Sequence, residues 1–199
     1  MGAAFGPPLR ALANWTGAVA GLLLILTGGL IQAALPLPGA AGVQLVSLPI
    51  TLQVPALLLT ALVCGPRPAL LAGVAYISLG LFQLPVFHTG GGLAYLLDPG
   101  FGYLAGFLPA AWVTGRLARQ QGMDNVLSLA MAALVGLAVL QLCGIANLLL
   151  GGLAGRWGGG LPQLLLSYSV GPLLPQVLLC CAVAVLARGL RRLLLIEAR

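Results

Sequence analysis

The sequence predicts an all-α integral membrane protein, a bundle of six transmembrane helices forming a single domain over residues 1–199. Three observations carry that prediction. Hydrophobic residues make up 60% of the chain and charged residues 6%, with a mean hydropathy of +1.09, whereas an average soluble domain is about 25% charged. A bilayer core about 30 Å thick needs roughly 20 apolar residues per helix, and Gly/Pro and polar clusters divide this chain into six apolar runs. The third observation is the distribution of the arginines along those runs.

The first span is expected from Asn14 to Leu35, followed by a long, partly apolar loop broken by Pro36, Pro38, Gly39 and Pro49. Arg10 ahead of an apolar run could mark a secretory signal, but the run is too long for a signal core. The second span, Thr51 to Cys64, is short and ends at Gly65-Pro66-Arg67-Pro68, a breaker cluster that reads as a tight turn. The third is expected from Ala69 to Leu84 and the fourth from Gly102 to Leu117, with the Gly-rich stretch His88 to Gly100 between them. A polar break at Gln120 to Asn125 precedes the fifth span, Val126 to Leu150, and a Gly-rich loop with Arg156 and Trp157 follows it. The sixth span, Gln163 to Ala187, contains Gly171-Pro172 and Pro175, so its first third reads as loop or kinked helix. The tail from Arg188 to Arg199 is basic and is expected at the membrane interface.

With six spans, both termini and the loops after spans two and four share one side. That side holds Arg10, Arg67, Arg116, Arg119, Arg188, Arg191, Arg192 and Arg199, and the other holds Arg156. The positive-inside rule then places both termini in the cytoplasm of a multi-pass protein of the cell's inner or plasma membrane. Five or seven spans would scatter the arginines over both faces.

The remaining chemistry is sparse. The chain has no lysine, which excludes a Walker A loop and Schiff-base catalysis. Arginines confined to segment ends give no basic face for nucleic acid. No span carries a charge in its middle third, where coupled transporters bury an acid or a histidine. None of Ser47, Ser78, Ser128, Ser167 or Ser169 lies in a nucleophile elbow, so no catalytic residue is assigned. No metal site or cofactor is expected either: His88 is the chain's one histidine, and Cys64, Cys143, Cys180 and Cys181 lie in apolar spans as packing residues.

The three longest loops share the side opposite the arginines and hold Gln53, Gly90, Gly91, Gly92, Asp98, Arg156 and Trp157. Irregular backbone at membrane depth survives only when buried in protein or lining a wet cavity, so these loops point to an outward-opening ligand cavity. In the first span, Gly17-Ala-Val-Ala-Gly21 forms a small-xxx-small surface. It suits packing within the bundle or docking to another membrane subunit.

Four stretches in order, Leu48-Pro-Ile-Thr-Leu-Gln53, Gly65-Pro-Arg67, Gly80-Leu-Phe-Gln-Leu-Pro-Val-Phe87 and Pro99-Gly-Phe-Gly-Tyr-Leu-Ala-Gly-Phe107, resemble the BioY family, the biotin-binding S subunits of energy-coupling-factor vitamin transporters. The ordered match runs from Pro49 to Gly115. The resemblance implies an S-component-like bundle that captures biotin from outside. Delivery inward then requires a transmembrane T subunit and two ATPase subunits. It also implies that Gly17, Ala18, Val19, Ala20 and Gly21 form the docking face for the T subunit.

The chain departs from the family at two places. Asp98-Pro-Gly-Phe-Gly-Tyr103 stands where members commonly read Gly-Pro-Thr-Gly-Gly-Tyr. Pro175-Gln-Val-Leu-Leu-Cys180 stands where they often carry Pro-Gly-Asp-x-x-Lys, whose charged pair holds the ureido head of biotin. Amides can satisfy a neutral ureido group instead. The expected pocket is therefore Gln53, Phe87, Gly91, Gly92, Tyr103, Asn147 and Gln176, with backbone amides of the Gly loop on the carboxylate. Two alternatives stand beside this reading: an S subunit for another small vitamin or biotin-related ligand, and a membrane enzyme or scaffold using Asp98, His88 and Arg156.

Overall fold

A computed structural model describes residues 7–39, 42–82, 84, 86–87, 90–158 and 160–194. Helix α1 spans Pro7–Leu30 and leads into an antiparallel hairpin, β1 (Gln32–Gly39) and β2 (Gly42–Thr51). Helices α2 (Gln53–Cys64) and α3 (Pro66–Leu81) follow, then a 3₁₀ turn, Leu93–Leu97, and the broken leg α4 (Phe101–Ala105) and α5 (Phe107–Leu117). The last two legs are α6 (Val126–Leu153) and a continuous unit of α7 (Leu161–Leu165), a π turn (Leu166–Val170) and α8 (Gly171–Leu193).

Six helical legs therefore form where six spans were expected, but several boundaries move. The first span begins at Pro7 and stops at Leu30, five residues short of Leu35, because residues 32–39 pair with residues 42–51 instead of continuing the helix. Hydropathy registers how apolar a segment is and says nothing of its backbone, so this hairpin read as an irregular loop. Pro36 and Pro38 are two residues apart, so the N–H groups they lack belong to one edge of β1 and the pairing with β2 survives.

The sixth leg is helical throughout, from Leu161 to Leu193. Its π turn lies just ahead of Pro172 and Pro175, and Gly171 N donates to Leu166 O in the wider i→i−5 pattern. Among the described residues, three helical units are long and apolar enough to cross a bilayer: Leu9–Leu30, Val126–Leu153 and Leu161–Leu193. The 12-residue α2 is only about 18 Å long, and the other legs shelter it.

Helix α2 is the central pillar. It touches α1, α3, α5, α6 and α8, and buries Ala56, Leu57, Leu58, Thr60, Ala61, Leu62 and Val63. A helix apolar on every side has to be surrounded. Leu57 joins one core cluster with Ile25, Tyr76, Phe107 and Leu140. Leu58 and Leu62 join a second with Leu129, Leu137 and Val183.

Association in lipid depends on close contact more than on release of water, and glycines supply that contact. A Cβ on Gly17 would lie 3.1 Å from Cys64 Cβ, and one on Gly21 would lie 2.4 Å from Thr60 Cγ2. Gly17, Ala18 and Gly21 are thus turned into the bundle, while Val19 and Ala20 face outward. Hydroxyls in the spans bond back to their own helices: Thr16 to Leu12 O, Thr27 to Leu23 O and Thr60 to Ala56 O.

The expected turn at Gly65-Pro66 is present. Gly65 takes φ +91°, Pro66 opens α3, and Gly115 packs directly on the Pro66 backbone. The tail departs from expectation, because Arg191 is not interfacial: it is 5% exposed. Its guanidinium donates to Leu62 O at 3.0 Å, to Met123 O at 2.8 Å and to Ala118 O. Arg119 donates to Cys64 O at 2.9 Å. Carbonyls at helix C-termini lack intrahelical donors, and the two arginines cap several of them at once.

Candidate functional site

The segments after α1, α3 and α6 gather at the end of the bundle opposite the α2–α3 and α5–α6 turns. There the 3₁₀ turn and the loop after α6 enclose a cleft of about 570 Å³, lined among others by Gly91, Tyr95, Asp98, Pro99, Arg156 and Trp157.

Each wall is positioned locally. The chain doubles back after α3 and seats the Phe87 ring on Gly80, where a Cβ would lie 2.0 Å from Phe87 Cζ. Phe87 and Gly90 exchange backbone hydrogen bonds of 2.9 and 3.1 Å, and Gly92 N donates to Gly80 O at 2.7 Å. Gly92, at φ +94°, then starts the turn that carries Tyr95. Tyr95 lies against Phe87, with ring centroids 4.5 Å apart; Phe87 meets Tyr76 edge-on at 5.6 Å. Asp98 caps its own turn by accepting from Gly100 N at 2.7 Å.

On the facing wall, the Trp157 indole lies on Gly151 and donates from Nε1 to Leu148 O at 2.9 Å. The neighbouring Arg156 is exposed and, among the described residues, has no carboxylate within ion-pair distance. The cleft thus combines one cation, one carboxylate already engaged by backbone, and two aromatic side chains. That combination suits a small ligand with an apolar body and an anionic end.

Of the seven residues expected to line the pocket, Gly91 lines the cleft directly. The structure places the others behind or below it. Phe87 backs Tyr95. Asn147 donates to Pro99 O at 3.1 Å and so holds the cleft wall to α6. Tyr103 packs on Gly144, shares a hydrogen bond with Ser169 and stacks on Tyr168 at 6.1 Å. Gln176 accepts from Gln141 Nε2 at 2.8 Å, which ties α8 to α6. Gln53 lies deeper, its side-chain amide buried beside the Tyr76 hydroxyl.

The expected role of the Gly-loop amides narrows, because the Gly92 amide is engaged by Gly80. Tyr95 was not expected at the site, and Asp98, Arg156 and Trp157 were expected in the cavity-forming loops but not among the pocket residues. The available signal was that Arg156 is the one arginine on the loop side, next to a tryptophan. Asp98 and Arg156 of the enzyme alternative do share the cleft, while His88 lies outside the described residues. Among the described residues, no three His, Cys, Asp or Glu side chains gather as a metal site.

Fold and cleft define a polytopic membrane protein with a small-molecule cleft at one end. A solved structure described as the S-component for biotin from an ECF-type ABC transporter superposes with a TM-score of 0.71 over 95% of each chain, at 20% identity. The same order of legs therefore recurs at low sequence identity. The family match covers residues 7–195, and the chain belongs to the BioY family.

Among its relatives are a probable biotin transporter BioY of Lysinibacillus sphaericus, 34% identical over 57% of this chain and 53% of that protein. Another is the biotin transporter BioY of Thermotoga maritima, 36% identical over 49% of this chain and 58% of that one. The chain thus spans about half the length of the curated relatives it matches.

Proposed function

We propose that this chain is the substrate-binding membrane subunit for biotin uptake, capturing biotin from outside and delivering it inward with a separate energy-coupling module of a T subunit and two ATPases. It acts as a transport subunit and not as an enzyme. The observation that carries the reading is the loop-end cleft with its uncompensated Arg156 beside Tyr95 and Trp157. Its volume falls within the roughly 300–1,000 Å³ of small-molecule sites, and a guanidinium is a strong donor to a carboxylate such as the valerate end of biotin.

The ureido head then points inward. The buried side-chain amide of Gln53 is the donor there for a carbonyl acceptor, and Tyr95, backed by the Phe87–Tyr76 pair, offers apolar surface for the bicycle. Gly91, Gly92, Tyr103, Asn147 and Gln176 shape and brace this path. The arginine-rich end faces the cytoplasm, with both termini. Docking to the T subunit uses the outward side of α1, where Val19 and Ala20 are exposed, while Gly17, Ala18 and Gly21 set that face by packing inside.

A second reading has a specific observation in its favour. Gln176 stands in the run where the family's acidic and basic pair is expected, and its side-chain oxygen is already bonded to Gln141. A biotin-related ligand with a smaller polar head would need less from this region.

Equilibrium binding of labelled biotin to the detergent-purified chain, with riboflavin and thiamine as competitors, tests the proposal. Saturable binding displaced by unlabelled biotin alone supports it. A folded chain that binds no biotin transfers the function to the second reading.

A further inference from the structure

The opposite end of the bundle holds a second cleft of about 420 Å³, lined by Asn14 of α1, Cys64 and Arg67 at the α2–α3 turn, and Trp112, Arg116 and Arg119 from α5 and its C-terminal extension. Three guanidinium groups converge on it, and no carboxylate lines it. Arg119 bonds to the carbonyls of Val63 and Cys64, and Arg116 lies 4.9 Å over the Trp112 ring. Arg67 and Arg116 are exposed and, among the described residues, neither has an acidic partner. Converging like charges on a membrane protein call for an anion.

The helices flanking this cleft indicate which anion. Arg67, Leu71 and Val74 fall at i, i+4 and i+7 of α3, so they share one stripe, and all three are exposed. On α5, Arg116, Trp112 and Pro109 form the matching exposed stripe. The two helices pack together and run in opposite directions, with Gly73 of α3 meeting Leu108 of α5. Both stripes therefore carry arginine at the same end and apolar side chains toward the membrane interior. Charge at one end and parallel apolar tracks leading away from it match the outline of a phospholipid. A soluble phosphate would use only the arginines, and an acidic protein segment would meet apolar surface along its flanks.

We propose that this cleft is a binding site for an anionic phospholipid, with the headgroup phosphate on Arg67, Arg116 and Arg119 and the acyl chains along Leu71, Val74 and Trp112. Basic pockets between transmembrane helices hold acidic headgroups by this chemistry.

The test titrates the purified full chain with phosphatidylglycerol and with phosphatidylcholine of the same acyl chains, read by native mass spectrometry. Inorganic phosphate and a poly-glutamate peptide serve as competitors. Phosphatidylglycerol is expected to bind the more tightly. Each arginine near an anionic lipid is worth a factor of about five, so Arg67→Gln with Arg116→Gln lowers that affinity roughly 10- to 30-fold, to the phosphatidylcholine level. Arg67→Lys with Arg116→Lys keeps both charges and retains the preference, as does Arg192→Gln, outside the cleft. An unchanged melting midpoint without added lipid shows that the double variant is folded.

Equal affinity for the two lipids, or a preference that survives in the double Gln variant, overturns the proposal. Displacement of the lipid by equimolar phosphate assigns the cleft to a free anion, and displacement by poly-glutamate assigns it to an acidic protein; either result also overturns it.

Discussion

Arg191 of α8 donates from Nε to the carbonyl of Leu62 in α2 at 3.0 Å, across 129 positions of sequence. The same guanidinium reaches Met123 O and Ala118 O. One side chain therefore ties α8, α2 and the α5–α6 connection together at the basic end.

Replacing Arg191 with Ala leaves three carbonyls without that donor, and stability is expected to fall by about 2–4 kcal/mol. Arg191→Lys, which keeps the charge but loses the planar fork, recovers part of it. Thermal unfolding followed with a thiol-reactive dye reports this in a Cys181→Ser background, which removes the exposed thiol and leaves Cys180 buried and Cys64 and Cys143 half-buried in the folded chain. An unchanged midpoint would mean that other donors serve these carbonyls.

At the ligand end, Arg156→Gln is expected to weaken biotin binding roughly 10- to 100-fold, the range of a charge-assisted hydrogen bond. The variant is also expected to lose the discrimination between biotin and its carboxamide that the native chain is expected to show. Equal loss toward both compounds would remove Arg156 from the carboxylate.

Gln53→Ala removes the buried Nε2 assigned to the ureido oxygen, and Asn147→Ala frees the Pro99 wall from α6. Each is expected to raise the biotin Kd between about 2- and 12-fold, measured by equilibrium dialysis. Native affinity in both variants would disprove the proposed pocket.

A Cβ on Gly151 would lie 2.1 Å from Trp157 Cζ2. Gly151→Ala is expected to expel the indole from its place and break its bond to Leu148 O. Biotin affinity then falls by up to about tenfold, and tryptophan emission shifts to the red in a Trp15→Phe, Trp112→Phe background. The helix itself gains from Ala, so a large loss of stability without a spectral shift would contradict this account.

The two faces of α1 separate packing from docking. Gly21→Val meets Thr60 and is expected to destabilise the isolated chain. Ala20→Trp, on the exposed face, is expected to leave biotin binding intact and abolish uptake in cells that express the energy-coupling module. Normal uptake by Ala20→Trp would place docking elsewhere.

Much of this protein was legible in one dimension. Apolar content and the periodic breakers give the six legs, and the arginines mark one end of the bundle, because each depends on segment composition alone. Gly65-Pro66 announced its turn, since only a few residues satisfy that backbone. The hairpin at residues 32–51 was not legible, because its apolar residues suit a helix and a strand equally, and pairing between the two segments decided the outcome. Phe87, Gly91 and Asn147 were all expected to line one pocket; the packing sets Gly91 on the cleft but makes Phe87 a backing residue and Asn147 a brace, which composition does not encode.

The tertiary structure decided convergence. It turned Gly17 and Gly21 inward, made Arg191 a buried clasp and set Arg156 and Trp157 facing Tyr95. Composition is a sum over neighbours along the chain. A site is a meeting of residues distant in sequence, as with Asn147 and Pro99 at a separation of 48, and only the packing of helices against α2 brings such residues together.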